Sequence, residues 1–538
     1  MSVNDRRLIE EFLPVDRISD AASSEPRTKG HISTLHLWRA RRPLAACRAA
    51  IYASLVPAPS SPEDRDQKSR FLAELSSWGA SKTLIEKARS DIRAANRGRI
   101  PRVLDSFAGG GSIPLEALRL GCEAYSMDLN PVAFLIQKAT VEYPQRFGIT
   151  LASDVRKWAG WVTDRVRSQV AALYPMIPVP AWLEKQARKQ GAFGDGAGKG
   201  PVGLVPFAFL WARTARCPNR QCQATVPLFA QTWLRRKPSG YAALRPRPDR
   251  KKGLVFFEVV NAEREDAFDF DPSQGMSGTA TNCLCCKSSV PAKYIRECGD
   301  SPGYGQQLLC VIVVNPYDTG KLYLADDSWV EGEAERQRNA EERARALEVK
   351  LNVTTLDEII PPTGNAGLAT GKSYLYGIRT FRQVYTPRQR YVLLEFVREI
   401  RRAHDAMLAE GLSAERAEAV TVYLALWLSR ITDRSNSLTR WNNARETVES
   451  FTSMKRFAMT WDFPEVNLFG GGSGDCRTAL DFVSAVIERE ADSGRPATVL
   501  RGSATALSGD CFADHSFDAV VTDPPYYDNE SYSELSVQ

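Results

Sequence analysis

Near residue 520, an apolar segment over 517–522 leads directly into a short motif of one acid, two prolines and a tyrosine. The residues of this motif are Asp523, Pro524, Pro525 and Tyr526. Because prolines fix the backbone, we expect the Asp523 carboxylate and the Pro524 carbonyl to point at one spot as acceptors. An amino group on a flat ring could donate to that spot while the ring stacks on Tyr526. The motif therefore predicts a site for an aromatic amine, and the alternative is a plain proline turn at a strand end.

A second candidate site lies around a glycine-rich turn between two short apolar runs. The first run ends in Asp105 and is followed by Phe107, Gly109 and Gly111, and the second run ends in Asp128. Glycines let a backbone turn sharply and approach a ligand closely. An acid at the end of the second strand can accept both hydroxyls of a ribose. The spacing misses the G-x-G-x-x-G pattern of dinucleotide sites, and an ordinary glycine turn between a strand and a helix is the alternative.

Four cysteines form two pairs that are separated by a long segment. These cysteines are Cys217, Cys222, Cys283 and Cys286. Paired thiolates on turn-like segments suit a tetrahedral Zn²⁺ site, and a closed site of four thiolates is structural. Cys285 stands beside Cys286, so the identity of the fourth ligand is open, and we favour Cys286. Free thiols are the alternative to a zinc site.

The elements that must position these residues follow from the apolar pattern. A strand ending at Asp105, a helix capped by Ser112 and ended by Gly121, and a strand ending at Asp128 make half of a doubly wound nucleotide-binding sheet. A helix over 478–491, a strand over 497–501 and a buried strand over 517–522 are expected to return to that sheet. The chain between them predicts helices over 331–351, 387–410 and 413–444, and a flexible glycine turn over 469–474 with no strand before it.

Basic residues are interleaved with Trp233 and Tyr241 between the two cysteine pairs. The cations are Arg235, Arg236, Lys237, Arg245, Arg247, Arg250, Lys251 and Lys252. Such a segment could follow a phosphate backbone, and it could equally be a solvated hairpin.

Bulk properties set the class of protein. The chain has 538 residues, so more than one domain is expected, and 43% hydrophobic with 25% charged residues is ordinary for globular proteins. A net charge of +6 permits a nucleic-acid partner without requiring one. No export signal and no apolar run of membrane-spanning length is present, so we expect a cytoplasmic protein without a membrane partner. Eleven unevenly spread cysteines agree with a reducing compartment.

Three stretches resemble known families. Phe107-x-Gly109-x-Gly111 is similar to motif I of S-adenosylmethionine (SAM) dependent methyltransferases, and the motif at Asp523 resembles motif IV of those that act on exocyclic amines of DNA bases. Residues 36–43, H-x-W-x-A-R-R-P, resemble motif X, which helps to hold SAM. The N-terminus resembles the DUF1156 domain of a bacterial family of adenine-specific DNA methylases that contain a zinc ribbon. These resemblances imply a SAM site formed by Asp105, Phe107, Gly109, Gly111, Asp128, Trp38 and Arg41.

The resemblance also implies a domain order and a fold class. We expect a DUF1156-like segment over 1–60, the first half of the methyltransferase domain over 61–150, a zinc-ribbon insert over 151–330, a helical insert for target recognition over 331–475, and the second part of the methyltransferase domain over 476–538. The expected fold is α/β, a Rossmann-like methyltransferase sheet interrupted by the long insert. Because family members continue with further strands after motif IV, the chain is expected to be truncated.

The function that the resemblance implies is transfer of a methyl group from SAM to the exocyclic amine of a DNA base. The catalytic residues would be Asp523, Pro524, Pro525 and Tyr526, and adenine N6 is the favoured target. The partners would be DNA and proteins of a restriction-modification or phage-defence system. The alternatives are cytosine N4, methylation of RNA or of a protein amine, and a non-catalytic zinc-ribbon protein that binds DNA.

Overall fold

A computed structural model describes residues 6–38, 40–183, 185, 203–316, 320–360, 373–451, 458–507 and 512–526. The protein is mixed α/β, with one parallel sheet and several antiparallel sheets. It divides into two compact units. The first unit contains the described residues of Met1–Gly160, Arg401–Trp427 and Leu480–Ser536, and the second contains those of Trp161–Ile400 and Leu428–Ala479. The predicted domain boundaries remain predictions.

The helices and strands are numbered here in chain order. The helices are α1 (Leu8–Glu11), α2 (Val15–Ser23), α3 (Leu44–Leu55), α4 (Pro62–Leu75), α5 (Lys82–Ala95), α6 (Ser112–Arg119), α7 (Pro131–Gln137), α8 (Tyr143–Phe147), α9 (Thr150–Val170), α10 (Ala292–Asp300), α11 (Asp327–Leu351), α12 (Pro387–Ala409), α13 (Ala414–Thr432) and α14 (Cys476–Glu490). The strands are β1 (Arg102–Asp105), β2 (Glu123–Asp128), β3 (Pro206–Arg216), β4 (Thr225–Leu228), β5 (Trp233–Lys237), β6 (Gly240–Asp249), β7 (Leu254–Ala262), β8 (Thr281–Asn282), β9 (Ser289–Val290), β10 (Gly305–Val314), β11 (Lys321–Leu324), β12 (Arg440–Asn442), β13 (Thr447–Glu449), β14 (Asp462–Val466), β15 (Thr498–Arg501) and β16 (Ala519–Val520).

The first unit is built on the parallel sheet, whose strand order is β15-β2-β1-β16. In chain order these are the third, second, first and fourth strands of the sheet, so the order reverses between β1 and β16. Leu104 of β1 lies beside Val520 of β16, and both neighbours of β1 run parallel to it. The carboxyl ends of β1 and β16 therefore meet at the same edge of the sheet.

The turn that follows β1 forms nearly as the sequence predicts. Helix α6 begins at Ser112, but its N-cap is Gly111, with φ of +80°, so the predicted cap is one residue too late. Leu115 and Leu118 of α6 are buried in the core. Gly121 has φ of +78° and follows the helix as a terminating glycine. The glycine after the helix and the periodic leucines were sufficient to identify this element.

The predicted buried strand before the proline motif is shorter and more exposed than expected. Only Ala519 and Val520 form β16, and Val520 is 59% exposed. Among the described residues, β16 pairs only with β1, so its other edge receives no strand. The apolar run before the motif therefore predicted more burial than the structure shows, because the burial of a strand depends on the elements that cover it.

The second unit is organised around the long strands β3 and β10, which pair antiparallel. Strand β3 also pairs with β14 and β4, and its apolar side chains pack with those of β10 and β14 in one core. Separate sheets are formed by β5-β6-β7, by β8-β9 and by β12-β13. The turns between β3 and β4 and between β8 and β9 carry the cysteine pairs.

The predicted helix over 413–444 is wrong in its last part, because α13 ends at Thr432 and is followed by the β12–β13 hairpin. Asn436 gives the physical reason. Its Nδ2 donates to the Thr432 carbonyl at 2.9 Å, and its Oδ1 accepts the backbone N–H of Leu438 at 3.0 Å. Side-chain bonds of this kind compete with helical bonds and stop the helix.

The glycine turn over 469–474 also differs from the prediction, since strand β14 precedes it and helix α14 follows it. The turn packs closely on β3. A Cβ at Gly470 would lie 2.7 Å from the Pro206 carbonyl oxygen, and the nearest neighbours of a Cβ at Gly472 would be ring atoms of Phe207. These glycines therefore allow a close approach of backbone to strand, which a periodicity search does not detect.

Candidate active site and metal centre

The glycine loop, residues 106–111, is held at the carboxyl edge of the parallel sheet by hydrogen bonds on both sides. The Phe107 N–H donates to Asp105 Oδ1 at 3.1 Å, and the Ala108 N–H donates to the Met127 carbonyl at 3.0 Å. On the other side, Gln137 Nε2 of α7 donates to the Gly109 carbonyl at 3.1 Å. The loop is therefore a fixed structure between β1, β2 and α7.

Asp128, the last residue of β2, faces this loop. Its Oδ2 accepts the Gly109 N–H at 2.9 Å, and its Oδ1 accepts the Asn130 N–H at 2.8 Å. Burial raises the pKa of Asp128, while these backbone bonds act in the opposite direction. The carboxylate stays partly exposed, so Asp128 can accept hydrogen bonds from a ligand on the loop.

Asp105 lies beneath the loop and is only 1% exposed. Burial raises its pKa to about 7, although the Phe107 N–H and the Thr522 hydroxyl favour the ionised form. The charges of Asp128 and Asp523 raise that pKa further. The structure thus places Asp105 as a support for the loop backbone, at the junction between the glycine loop and the proline motif.

Trp38 covers the open side of the glycine loop. A Cβ at Gly109 would lie 2.5 Å from Trp38 Nε1, and a Cβ at Gly110 would lie 3.2 Å from Trp38 Cβ. Gly109 also has φ of +50°, which disfavours larger residues. The structure therefore brings together Trp38 and Gly109, two of the predicted cofactor residues, and the glycines admit the indole.

Arg41 takes a different place from Trp38. Its Nη1 donates to Glu25 Oε1 at 3.1 Å, and His31 Nε2 lies 3.0 Å from the same oxygen. The other Glu25 oxygen accepts the Leu44 N–H at 2.6 Å, at the start of α3. Despite its burial, hydrogen bonds and charges from His31 and Arg41 lower the pKa of Glu25 to about 2. The structure thus engages Arg41 in a buried network that fixes the start of α3.

The proline motif follows β16 and remains beside β1, because the Val521 N–H donates to the Leu104 carbonyl at 3.0 Å. Asp523 is partly buried, whereas Pro524, Pro525 and Tyr526 are exposed. The Tyr526 hydroxyl donates to Asp523 Oδ1 at 2.8 Å. The acid and the aromatic residue of the motif are therefore joined by a hydrogen bond, and both lie next to the glycine loop.

Sequence reasoning missed the cation that binds this motif. Arg42 Nη2 donates to Asp523 Oδ1 at 3.0 Å, and Arg42 Nε donates to Asp523 Oδ2. The Arg42 guanidinium carbon lies 5.0 Å from the centre of the Tyr526 ring. We call residues 36–38 and 40–43 the strap, because Trp38 lies on the glycine loop and Arg42 on the proline motif. Arg42 lies in the H-x-W-x-A-R-R-P segment, which the sequence had already singled out. Nothing in the sequence indicated that its partner is Asp523.

The four predicted cysteines come together in the second unit. Their sulfur atoms all lie within 4.8 Å of one another, with 3.6 Å between Cys217 and Cys286 and 3.8 Å between Cys222 and Cys283. Sulfur ligands of a tetrahedral zinc ion stand about 3.8 Å apart, given a Zn–S bond of about 2.3 Å. The cluster could therefore hold a metal ion such as zinc.

The backbone of the two cysteine turns is alike. Cys217 N–H donates to the Ala224 carbonyl and Cys283 N–H to the Ser288 carbonyl, each at 2.9 Å. Cys285 is buried but is not one of the four clustered cysteines, and its Sγ donates to the Leu254 carbonyl oxygen at 3.8 Å. The geometry thus selects Cys286, rather than Cys285, as the fourth member of the cluster.

The basic residues between the cysteine pairs are largely engaged by acids of the same unit. Arg236 binds Glu265, and Arg247 binds Asp327 at 3.1 Å. Arg245 also pairs with Glu258 and Asp269, and both Arg235 and Lys237 pair with Glu446. Trp233 is buried, with its Nε1 donating to Ser273 Oγ. The surface of the β5–β6 hairpin therefore carries many ion pairs. From the sequence alone, these cations could instead have been free to follow a phosphate backbone.

Comparison with known proteins gives one finding. A family model described as "Protein of unknown function (DUF1156)" matches residues 12–80, a stretch that includes the strap and α3. No curated protein and no solved structure matches the chain. Across the described ranges, no helix is both long and apolar enough to cross a membrane. The DUF1156 resemblance is thus confirmed over 12–80.

Proposed function

We propose that the protein is a SAM-dependent methyltransferase that acts on the exocyclic amine of a DNA base, with adenine N6 as the target. The observation that carries the proposal is the pairing of β1 with β16. It sets the glycine loop and the Asp523 motif at one carboxyl edge, where the strand order reverses. In open α/β sheets this reversal is where ligands bind.

The residues at this edge suit the cofactor. Asp128 offers a partly exposed carboxylate to ribose hydroxyls, and Phe107 and Leu129 expose apolar surface on either side, at 38% and 68%. Trp38 would contact whatever lies on Gly109, and Asp105 would hold the loop from below. SAM would supply an electrophilic methyl group on a sulfonium. Arg41 would act at a distance, by fixing the start of α3.

The proline motif would hold the amine. The Asp523 carboxylate and the Pro524 carbonyl would accept its N–H groups, and the ring would stack on Tyr526 after leaving the duplex. Positive charge that develops on the nitrogen during transfer would be stabilised by the Asp523 carboxylate. The methylated nitrogen would then lose one proton to water, and SAM would leave as S-adenosylhomocysteine. Catalysis would therefore rest on orientation and on placement of charge, without a covalent intermediate.

The second unit would serve DNA recognition, with Zn²⁺ held by Cys217, Cys222, Cys283 and Cys286 as a structural ion. The net charge of +6 suits a polyanionic partner. A cytoplasmic location and partner proteins of a restriction or phage-defence system belong to the same proposal.

Calorimetric titration of SAM tests the cofactor half of the proposal. The wild type should bind SAM, Asp128→Asn should bind about tenfold more weakly because a ribose acceptor is lost, and Asp523→Ala should keep its affinity. Circular dichroism of each variant controls for folding. Absence of SAM binding by a folded, zinc-loaded protein would reject the proposal and favour a non-catalytic DNA-binding role.

A further inference from the structure

The acceptor set at the proline motif already has an occupant, which is the guanidinium group of Arg42. Two of its nitrogens donate to the two oxygens of Asp523, in the fork geometry that guanidinium and carboxylate groups prefer. Its plane lies near the Tyr526 ring, 5.0 Å from carbon to ring centre. The side chains are 40% and 23% exposed for Arg42 and Asp523, so the contact is open to solvent on one side.

A guanidinium group shares its chemistry with the amine edge of a nucleobase. Both are flat, both present N–H donors beside an sp² carbon, and both stack on aromatic rings. The Asp523 Oδ1 atom accepts from Arg42 and from the Tyr526 hydroxyl at once. A base amine that enters to bond Asp523 and to stack on Tyr526 must therefore take the place of the Arg42 donors.

We propose that Arg42 is a specificity-determining gate. Its guanidinium group occupies the place of the base amine, and only a flat group with N–H donors can replace it. This inference rests on the proposed function for the identity of the incoming group. A ring with a carbonyl in place of the amine, such as thymine, has a single ring N–H between two carbonyl oxygens. These oxygens would face the Asp523 carboxylate and keep the ring from replacing the guanidinium, which presents two donors side by side. The gate thus selects amine-bearing bases before any transfer occurs.

The strap gives the gate a link to the cofactor loop. Trp38 and Arg42 lie four residues apart, one against Gly109 and the other against Asp523. Arg42 immediately precedes Pro43, the N-cap of α3, which Glu25 fixes by accepting the Leu44 N–H. The base of the strap is therefore anchored, and the guanidinium group at the tip of Arg42 bonds Asp523.

The direct test follows the Arg42 guanidinium by NMR in full-length protein labelled with ¹⁵N-arginine. The Arg42 Nε–H resonance is identified by its loss in Arg42→Lys. Adding deoxyadenosine 5′-monophosphate or deoxycytidine 5′-monophosphate should shift this resonance toward that of free arginine, and thymidine 5′-monophosphate should not. No shift with either amine-bearing nucleotide, or an equal shift with thymidine 5′-monophosphate, would overturn the gate.

Kinetics of methyl transfer to DNA give a second, separate readout. Arg42→Met should lower the apparent KM for DNA about fivefold and raise kcat/KM, because the competing donor is gone. Arg93→Met, at an exposed position on α5, is the matched control and should leave both constants as in wild type. A fall in kcat/KM in Arg42→Met would mean that Arg42 assists Asp523 and would overturn the inference. If the wild type transfers no methyl group, the proposed function fails, and the nucleotide titration still decides whether Arg42 is a gate.

Discussion

Arg48 of α3 and Glu116 of α6 form a buried ion pair, with 2.5 Å between Arg48 Nε and Glu116 Oε2. Both side chains are almost fully buried, and Glu116 also accepts from Arg119 at 2.6 Å. Helix α3 lies in the stretch matched by DUF1156, and α6 begins at the glycine loop. The ion pair therefore fixes the DUF1156 segment to the helix that carries the candidate cofactor site.

Arg48→Met should lower the free energy of unfolding of the first unit by about 3 kcal/mol, because Glu116 loses one of its two buried cationic partners. Thermal unfolding, with limited proteolysis to identify the unit that opens, measures the effect. The double variant Arg48→Met/Glu116→Leu should recover most of the loss, since no unpaired buried charge then remains on either helix. An Arg48→Met protein as stable as the wild type would mean that the pair does not hold these helices together.

Asp105 predicts a pH dependence of stability. Its folded pKa of about 7 lies above the value of about 4 expected for an unfolded chain, so the folded state keeps a proton that the unfolded state has lost. The wild type should therefore lose stability as pH rises from about 4 to about 7. Asp105→Asn keeps an acceptor for the Phe107 N–H and carries no charge, so its Tm should exceed the wild-type Tm by about 4 °C at pH 8 and by less at pH 5.

Asp16→Asn, at an exposed position on α2, is the control for Asp105→Asn. Its Tm difference from wild type should be the same at both pH values. A pH-independent difference for Asp105→Asn would contradict the role of burial at Asp105.

Gly109 and Gly98 separate backbone strain from side-chain contact. Both have positive φ, at +50° and +80°, but a Cβ at Gly109 would meet Trp38, whereas a Cβ at Gly98 would have nothing within 4 Å. Gly109→Ala should therefore lower Tm more than Gly98→Ala. Trp38→Ala should restore part of the loss when combined with Gly109→Ala. Equal effects of the two glycine substitutions would show that Trp38 does not pack on the loop in solution.

The cysteine cluster predicts one zinc ion per chain, measured by elemental analysis of protein purified without chelators. Cys286→Ser should lose most of the bound metal, because a four-thiolate site then lacks one ligand. Cys285→Ser is the matched control and should keep its zinc, since Cys285 faces the Leu254 carbonyl. Loss of zinc in Cys285→Ser with retention in Cys286→Ser would reverse the assignment of the fourth ligand.

The sequence predicted those parts of the fold that depend on local pattern. The strand, glycine turn and helix around Gly111, the terminator Gly121, and each of the two cysteine pairs carry their signal within a few residues. Helix α12 begins at Pro387 as predicted, because Thr386 accepts the Gln389 N–H as an N-cap. Local chemistry was sufficient for these elements.

Contacts between distant residues could not be predicted in the same way. Arg42 and Asp523 are 481 positions apart, and nothing in the sequence around either residue identifies the other as its partner. The end of α13 was missed because Asn436 stops the helix by bonding back to the Thr432 carbonyl, while the apolar spacing continues beyond it. The ion pairs of the β5–β6 hairpin could not be predicted from the sequence for a related reason. Acids such as Asp327 come from elsewhere in the chain.

Methyl transfer itself tests the central claim most directly. Purified wild-type protein would be incubated with SAM and with DNA from a host that lacks DNA methylases, and the digested nucleosides would be analysed by mass spectrometry. We expect N6-methyldeoxyadenosine with the wild type and none with Asp523→Ala, whose SAM binding is checked in parallel. N4-methyldeoxycytidine would keep the enzyme class and change the base. No methylated nucleoside from a protein that binds SAM, or equal methylation by Asp523→Ala, would contradict the role given to the proline motif.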